Sequence, residues 1–417
     1  MSDCMDQVNK QLRDLHVRSM NLAGGNKSLS RLYPIMEAVG NPHKKLRVIH
    51  VAGTSGKTST SYYIAALIRS SGKSVGLTVS PHVDSVTERV QVNGQPLPDE
   101  DFCRYMQEFL PMIEGLDQSP SYFEAMVCFA YWVFAKLELD YIVAETGMGG
   151  LVDATNIASR ADKICVITDI GMDHMKVLGD NLTDITVNKA GIIYSGNRVF
   201  MIEQSDSVMG VVVERVQQMS AGLSVLPAQE VDSYIAQERS EAPEFQLRNW
   251  RLALEVIGYL SEENGLNISS ALSPSDVAVP GRMETRLLDD GSTLIMDGGH
   301  NEQKVGAFVD SYRVIYGESK ADVLLALKSG KEYKEVLAKL VPITGRLTIT
   351  TFSENQDFPI FSQDPQEIAD ESIRLGMPTG VMESNIDAYR QLIERDSKIK
   401  LVIGSIYLLG RLRRQVP

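Results

Sequence analysis

No apolar stretch in this 417-residue chain approaches the roughly 20 residues a bilayer-spanning helix needs, and Met1–Lys10 is polar and charged, without the apolar core of a secretion signal. An excess of positive charge is also missing. With 41 Lys and Arg against 54 Asp and Glu, the net charge is −13, which argues against a general nucleic-acid or anionic-membrane binder. Cysteine is scarce: Cys4, Cys103, Cys128 and Cys165 are scattered, and no C-x-x-C pair suggests a zinc or redox site. Cys128 and Cys165 sit in apolar runs and read as small core residues. These absences predict a cytoplasmic protein with reduced thiols and neither nucleic-acid nor membrane partners. What remains is 43% hydrophobic and 23% charged, a globular composition long enough for two or three domains.

The most informative segment is Val48–Ser59, where an apolar run enters Gly53-Thr54-Ser55-Gly56-Lys57-Thr58 and a helix-compatible stretch follows. A strand that turns through glycines into a helix aims backbone N–H groups at one point, which suits a polyphosphate. Lys57 is expected to reach the outer phosphates, and Thr58 or Ser59 to offer a hydroxyl to Mg²⁺. The usual loop carries glycine five positions before Gly56; Val51 stands there, so this is a shortened variant. An acidic chain can still bind ATP, because the phosphate site is local and Mg²⁺ brings its own charge.

Short β-rich runs (Leu46–Ala52, Ser74–Val79, Tyr141–Glu145, Ile164–Ile167, Arg198–Ile202) alternate with amphipathic segments (Thr58–Ser71, Asp99–Ile113, Phe123–Leu137, Leu182–Ile193). The alternation predicts a largely parallel sheet with helices on both faces. Asn93-Gly94 predicts a tight hairpin. A second series of strands (Leu294–Met296, Val323–Leu327, Leu347–Thr351, Lys400–Ile403) and helices begins after Ser275, so domains of 1–275 and 276–417 are expected. Val225–Glu244 reads as a loop or a β insertion.

In open parallel sheets, ligands gather at the C-terminal ends of the strands. Ser80, Glu145 and His174 each follow a different apolar run and could together hold Mg²⁺ against phosphate oxygens, His being the least typical ligand of the three. Taken singly, Ser80 could equally cap a turn before Pro81, Glu145 join a salt bridge and His174 be a satisfied polar residue. From the residues alone, Lys189 reads as a helix-surface lysine.

These motifs and their order resemble the folylpolyglutamate synthase/dihydrofolate synthase family of the Mur ligase superfamily, from about residue 10 to the C-terminus. The markers are the 50–57 loop, Ser80-Pro81-His82 with Glu88-Arg89, Tyr122-Phe123-Glu124, Glu145–Gly150 with Asp153-Ala154-Thr155-Asn156, and Asp173-His174. Leu178-Gly179, Lys189–Ile192, Pro280-Gly281-Arg282, Asp297–Asn301 and Gly404–Tyr407 continue the series. The resemblance implies a Mur-ligase-type ATPase domain with a parallel sheet, followed by a smaller Rossmann-like α/β domain. It implies ATP-dependent ligation of L-glutamate to dihydropteroate or a reduced folate through an acyl phosphate, with two Mg²⁺ ions; a monomer is the default expectation.

By the same resemblance, Gly53 through Ser59 hold the ATP phosphates, while Asn249, Arg282 and Asp297 contact the nucleotide. Ser80, Glu145 and His174 match metal ligands, and Lys189 matches a lysine the family carries as an N6-carbamate. Phe123, Glu124, Val152, Asp153 and Ala154 match the pterin side, and His300 faces the site. Lys57, His174 and Lys189 are the expected catalytic set. The chain departs from the family pattern at Ser55, Thr58, Leu151, Asn188 and Gly330-Lys331-Glu332. Two other readings stand beside this one. A Mur-type amide ligase of peptidoglycan precursors lacks room here for its N-terminal domain, and a non-catalytic ATP switch needs no second metal.

Overall fold

The computed structural model describes residues 2–22, 29–117, 119–173, 175–238, 242–268, 272–355 and 359–415. The chain divides into two compact units, one of Met1–Arg239 with Arg248–Val277 and one of Ser240–Leu247 with Ala278–Pro417.

The first unit is built on eight strands: β1 (Val48–Ala52), β2 (Val75–Thr78), β3 (Gln91–Val92), β4 (Gln95–Pro96), β5 (Tyr141–Glu145), β6 (Ile164–Ile167), β7 (Arg198–Ile202) and β8 (Gly222–Leu226). They lie in the order β4-β3-β2-β5-β1-β6-β7-β8, parallel from β2 to β8, with β3 and β4 antiparallel at one edge. The helices are α1 (Ser2–Leu22), α2 (Tyr33–Ala38), α3 (Lys57–Ser70), α4 (Asp99–Ile113), α5 (Tyr122–Lys136), α6 (Met175–Leu178), α7 (Leu182–Ala190), α8 (Asp206–Gln218), α9 (Ala228–Gln237) and α10 (Glu244–Asn264), the first turn of α10 grouping with the second unit. Every residue of β1 and β5 is buried, as expected for central strands covered on both faces. One apolar cluster packs α4 and α5 against β5; another packs α7 and α8 against β6 and β7.

Local chemistry sets the boundaries. Ser121 and Glu124 close a capping box at the start of α5. Asn93 (φ 51°) and Gly94 (φ 79°) both take the left-handed conformation a two-residue hairpin turn needs, so the predicted hairpin forms. The 225–244 expectation is corrected. Its first residues end β8, and the rest is mainly α9, whose Ala228, Val231, Tyr234 and Ile235 recur at helical spacing although only Val231 is fully buried. The expectation of reduced thiols is corrected too: Cys4 of α1 and Cys103 of α4 form a disulfide, with Cα atoms 6.4 Å apart. Cys128 and Cys165 are free and buried. No helix among the described residues is long and apolar enough to cross a membrane.

The second unit carries β9 (Glu284–Leu287), β10 (Thr293–Asp297), β11 (Ala321–Leu325), β12 (Thr344–Ile349), β13 (Ser353–Asn355), β14 (Pro359–Phe361), β15 (Thr379–Val381) and β16 (Ile399–Ile403). Its main sheet runs β15-β12-β11-β16-β10-β9, parallel except for β9, while β13 and β14 pair as a separate hairpin. Helices α11 (Glu302–Tyr316), α12 (Tyr333–Leu340), α13 (Pro365–Arg374), α14 (Asn385–Glu394) and α15 (Ile406–Leu412) complete it.

Candidate active site

The register of β1 against β5 places Glu145, the last residue of β5, beside Val51, and Thr58, the second residue of α3, donates its hydroxyl to Glu145 Oε1 at 2.9 Å. Between them runs the 53–56 loop. A Cβ on Gly53 would lie 1.9 Å from Thr168 Oγ1, and one on Gly56 (φ 87°) would lie 2.3 Å from Asn249 Oδ1, so neither position tolerates a side chain. The same contact shows that Asn249 of α10 lies over the loop. Gly56 is the N-cap of α3 and no side chain caps that helix, the arrangement of a helix start that takes an anion.

The loop uses some of its own donors. The Thr54 and Ser55 N–H groups both donate to the Asp169 carbonyl, at 2.8 and 3.1 Å, and the Thr54 hydroxyl donates to Gly171 O at 2.9 Å. These two amides brace the loop against the segment that follows β6. Asp169 in turn accepts two N–H bonds from Arg248, at 3.0 and 3.1 Å. Neither Asp169 nor Arg248 was expected in the site, and no sequence spacing connects them.

Two lysines converge on one backbone oxygen. Lys57 Nζ donates to Gly53 O at 3.0 Å and Lys189 Nζ donates to it at 2.8 Å. Lys189 is only 3% exposed, so the helix-surface reading of this residue is corrected; it shares the buried face of α7 with Ile185, Thr186 and Ala190. Ser80 follows β2, the strand beside β5, and is half-buried. His174 lies outside the described residues. Thr58 and Glu145 supply oxygen donors at the mouth of a loop shaped for anions, a set that suits a hard cation keeping several waters, such as Mg²⁺.

On the neighbouring side, a Cβ on Gly147 would lie 2.5 Å from the Phe123 ring, so that ring lies flat on the glycine turn. Met148, Leu151 and Val152 remain exposed around it. Glu124 closes the α5 capping box and pairs with Arg31 at 2.9 Å, so its carboxylate is engaged within the fold. Asp153 is buried beside Ala154, and it accepts from Met148 N (2.9 Å), Thr155 N (3.0 Å) and the Thr155 hydroxyl (2.5 Å). Burial pushes its carboxyl above the usual range, against these hydrogen bonds. Because the Thr155 hydroxyl gives its proton to Asp153, it accepts from His50 Nε2 at 2.8 Å, which fixes the proton of that imidazole on Nε2. His50 of β1, fully buried, is held neutral by desolvation and by Lys163. The relay His50–Thr155–Asp153 ties the sheet to the 146–153 turn.

Within the second unit, Arg282, Asp297 and His300 come together at the end of β10. Asp297 Oδ2 accepts from Met283 N at 2.8 Å, and Oδ1 from Gly299 N at 2.6 Å. Burial raises its pKa, while Arg282 pulls the other way. His300 Nδ1 lies 3.0 Å from Gly298 O.

The Mur ligase middle domain model matches residues 51–271, and the model for the dihydrofolate synthetase C-terminal domain matches residues 283–415. The chain is 30% identical to dihydrofolate synthetase of Saccharomyces cerevisiae over 417 residues, covering 93% of this chain and 97% of that protein. It is 29% identical to dihydrofolate synthase/folylpolyglutamate synthase of Bacillus subtilis, covering 94% and 96%. Among solved structures, E. coli FolC in complex with DHPP and ADP superposes with a TM-score of 0.80 at 22% identity, covering 98% of this chain and 97% of that one, a likeness of fold.

Proposed function

The chain belongs to the dihydrofolate synthase/folylpolyglutamate synthase family, ATP-dependent ligases that join glutamate to a folate-type carboxylate, and we propose that it works through an acyl phosphate formed over the 53–59 loop. A carboxylate does not condense with an amine in water, because its oxygen is a poor leaving group. Transfer of the γ-phosphoryl group to the acceptor carboxylate turns that oxygen into phosphate, and the glutamate amine then attacks the acyl carbon and expels it.

The single observation that carries this reading is the uncapped start of α3 beside Lys57, Thr58 and Glu145. The N–H groups of its first turn receive the phosphates, and Lys57 moves from Gly53 O to the transferring group. Thr58 and Glu145, with Ser80 and His174 completing the set, would hold Mg²⁺, which offsets charge on the transferring phosphoryl group. Asn249, Arg282 and Asp297 bind the rest of the nucleotide. Lys189 acts as an N6-carbamate: its remaining N–H still donates to Gly53 O, and the added carboxylate gives an acceptor for a second Mg²⁺. Intact-mass measurement in bicarbonate, with loss of 44 Da on acidification, checks this point.

For the acceptor, the flat Phe123–Gly147 surface and the exposed Met148, Leu151 and Val152 favour a planar, apolar body over a string of glutamates. That supports a pteroate-type acceptor, dihydropteroate among them; Asp153 and Ala154 directly follow these residues in the chain. All substrates are small, so a cytoplasmic monomer suffices. Phosphate release from MgATP and L-glutamate, with dihydropteroate or tetrahydrofolate as acceptor, tests the reading. Turnover with dihydropteroate is expected; turnover with neither acceptor overturns the ligase assignment.

A further inference from the structure

We propose a second small-molecule site at the opposite end of the first unit's sheet, taking a flat aromatic carboxylate. A cavity of about 260 Å³ opens there, beneath the N-terminal ends of β1, β5, β6 and β7 and against the last turns of α10. The reacting groups described above all stand at the C-terminal ends of these strands. Four rises of roughly 3.3 Å put about 13 Å between the first and last residues of β1, so the cavity is a separate place.

Its walls combine two chemistries. Arg47, Lys163 and Arg198 bring positive charge to the lining, in a chain that is acidic overall. Of the two acids there, Asp162 is already gripped by both arms of Arg160, at 2.7 Å each, and Glu263 is exposed. Lys163 turns its ammonium inward to Ala158 O at 2.8 Å, which leaves the two guanidinium groups to meet a ligand. Arg47 lies over the Tyr141 ring (6.0 Å), and Arg198 lies over Tyr259 (5.6 Å) while donating to Ser224 Oγ at 2.6 Å. An anionic oxygen in the cavity would meet the exposed guanidinium of Arg47 at the rim and the lining guanidinium of Arg198.

The remaining lining includes Tyr141, Tyr259 and Leu260, which a bare inorganic anion would leave unused. An anionic head on a flat apolar body satisfies both. Guanidinium forks match a carboxylate, and the cavity is smaller than a typical drug-sized pocket, which limits the body to about one ring.

Calorimetric titration of the full chain with benzoate, with inorganic phosphate as the contrasting probe, tests the site. Saturable benzoate binding in the millimolar range or tighter is expected, unchanged in protein saturated with MgADP, and at least about tenfold stronger than phosphate. Arg198→Met, which keeps the apolar stem over Tyr259, and Arg47→Gln, on the exposed rim, should each weaken benzoate by about tenfold. Absence of saturable binding up to about 20 mM, competition by MgADP, preference for phosphate, or affinity unchanged in folded Arg47→Gln would each overturn the proposal.

Discussion

The two units contain the same local device, and it has opposite outcomes. In the first, β1 turns through Gly53 and Gly56 into α3; in the second, β10 turns through Gly298 and Gly299 into α11. The start of α11 is closed by its own chain, because Asn301 accepts from Lys304 N at 2.9 Å and Asp297 accepts from Gly299 N. The start of α3 has glycine at the N-cap and no side-chain cap. A glycine turn between strand and helix therefore does not make a phosphate site by itself. The helix must also be left uncapped, with a cation and a hydroxyl placed in its first turn.

Removing the cation of the open turn should break the contrast most severely. Lys57→Ala is expected to lower kcat about a thousandfold, read by phosphate release, with an unchanged melting temperature because the ammonium bonds only a loop carbonyl. Gly56→Ala attacks the backbone: its Cβ would strike Asn249 Oδ1, and a shifted loop should lower kcat/KM about a hundredfold. Thr58→Val keeps the helix and removes the partner of Glu145, so the Mg²⁺ concentration for half-maximal rate should rise about tenfold. At the closed turn, Asn301→Ala should instead cost about 1 kcal/mol of stability, measured by urea unfolding.

Acid should separate the units as well. His43 and His50 in the first unit both have depressed pKa values through burial, His43 falling to about 4 from 6.5. A depressed folded pKa means the unfolded chain binds the proton more readily. The contribution is then present above pH 6.5 and is lost as pH falls from 6.5 towards 4. Hydrogen exchange at pH 5 should accelerate in β1 more than in β10; equal acceleration would remove this distinction.

Much of the fold could be read from the chain because buried parallel strands are short, continuous and β-branched. Tyr141–Glu145 has its expected bounds, and the run expected from Leu46 forms a strand from Val48 to Ala52. The 228–237 helix was missed although Val231, Tyr234 and Ile235 stand at helical spacing, because the polar residues around so short a stripe read as a loop. Within the site, local motifs such as Gly56-Lys57-Thr58 were legible. Contacts between distant segments were not: Thr58 with Glu145, Lys189 with Gly53 and Arg248 with Asp169 join residues 79 to 136 positions apart. Nothing in local spacing encodes such pairs. The inward face of Lys189 depends on which side of α7 meets the loop, a tertiary fact.

The bond between Cys4 and Cys103 changes what a cut in the backbone means. The two cysteines are 99 positions apart, and the 53–59 loop lies between them. A protease that nicks the chain once anywhere in that interval opens a ring without releasing a fragment. Both pieces stay one covalent molecule, with the loop still joined to the body through the uncut side of the ring, and only a reductant would let them part on a gel.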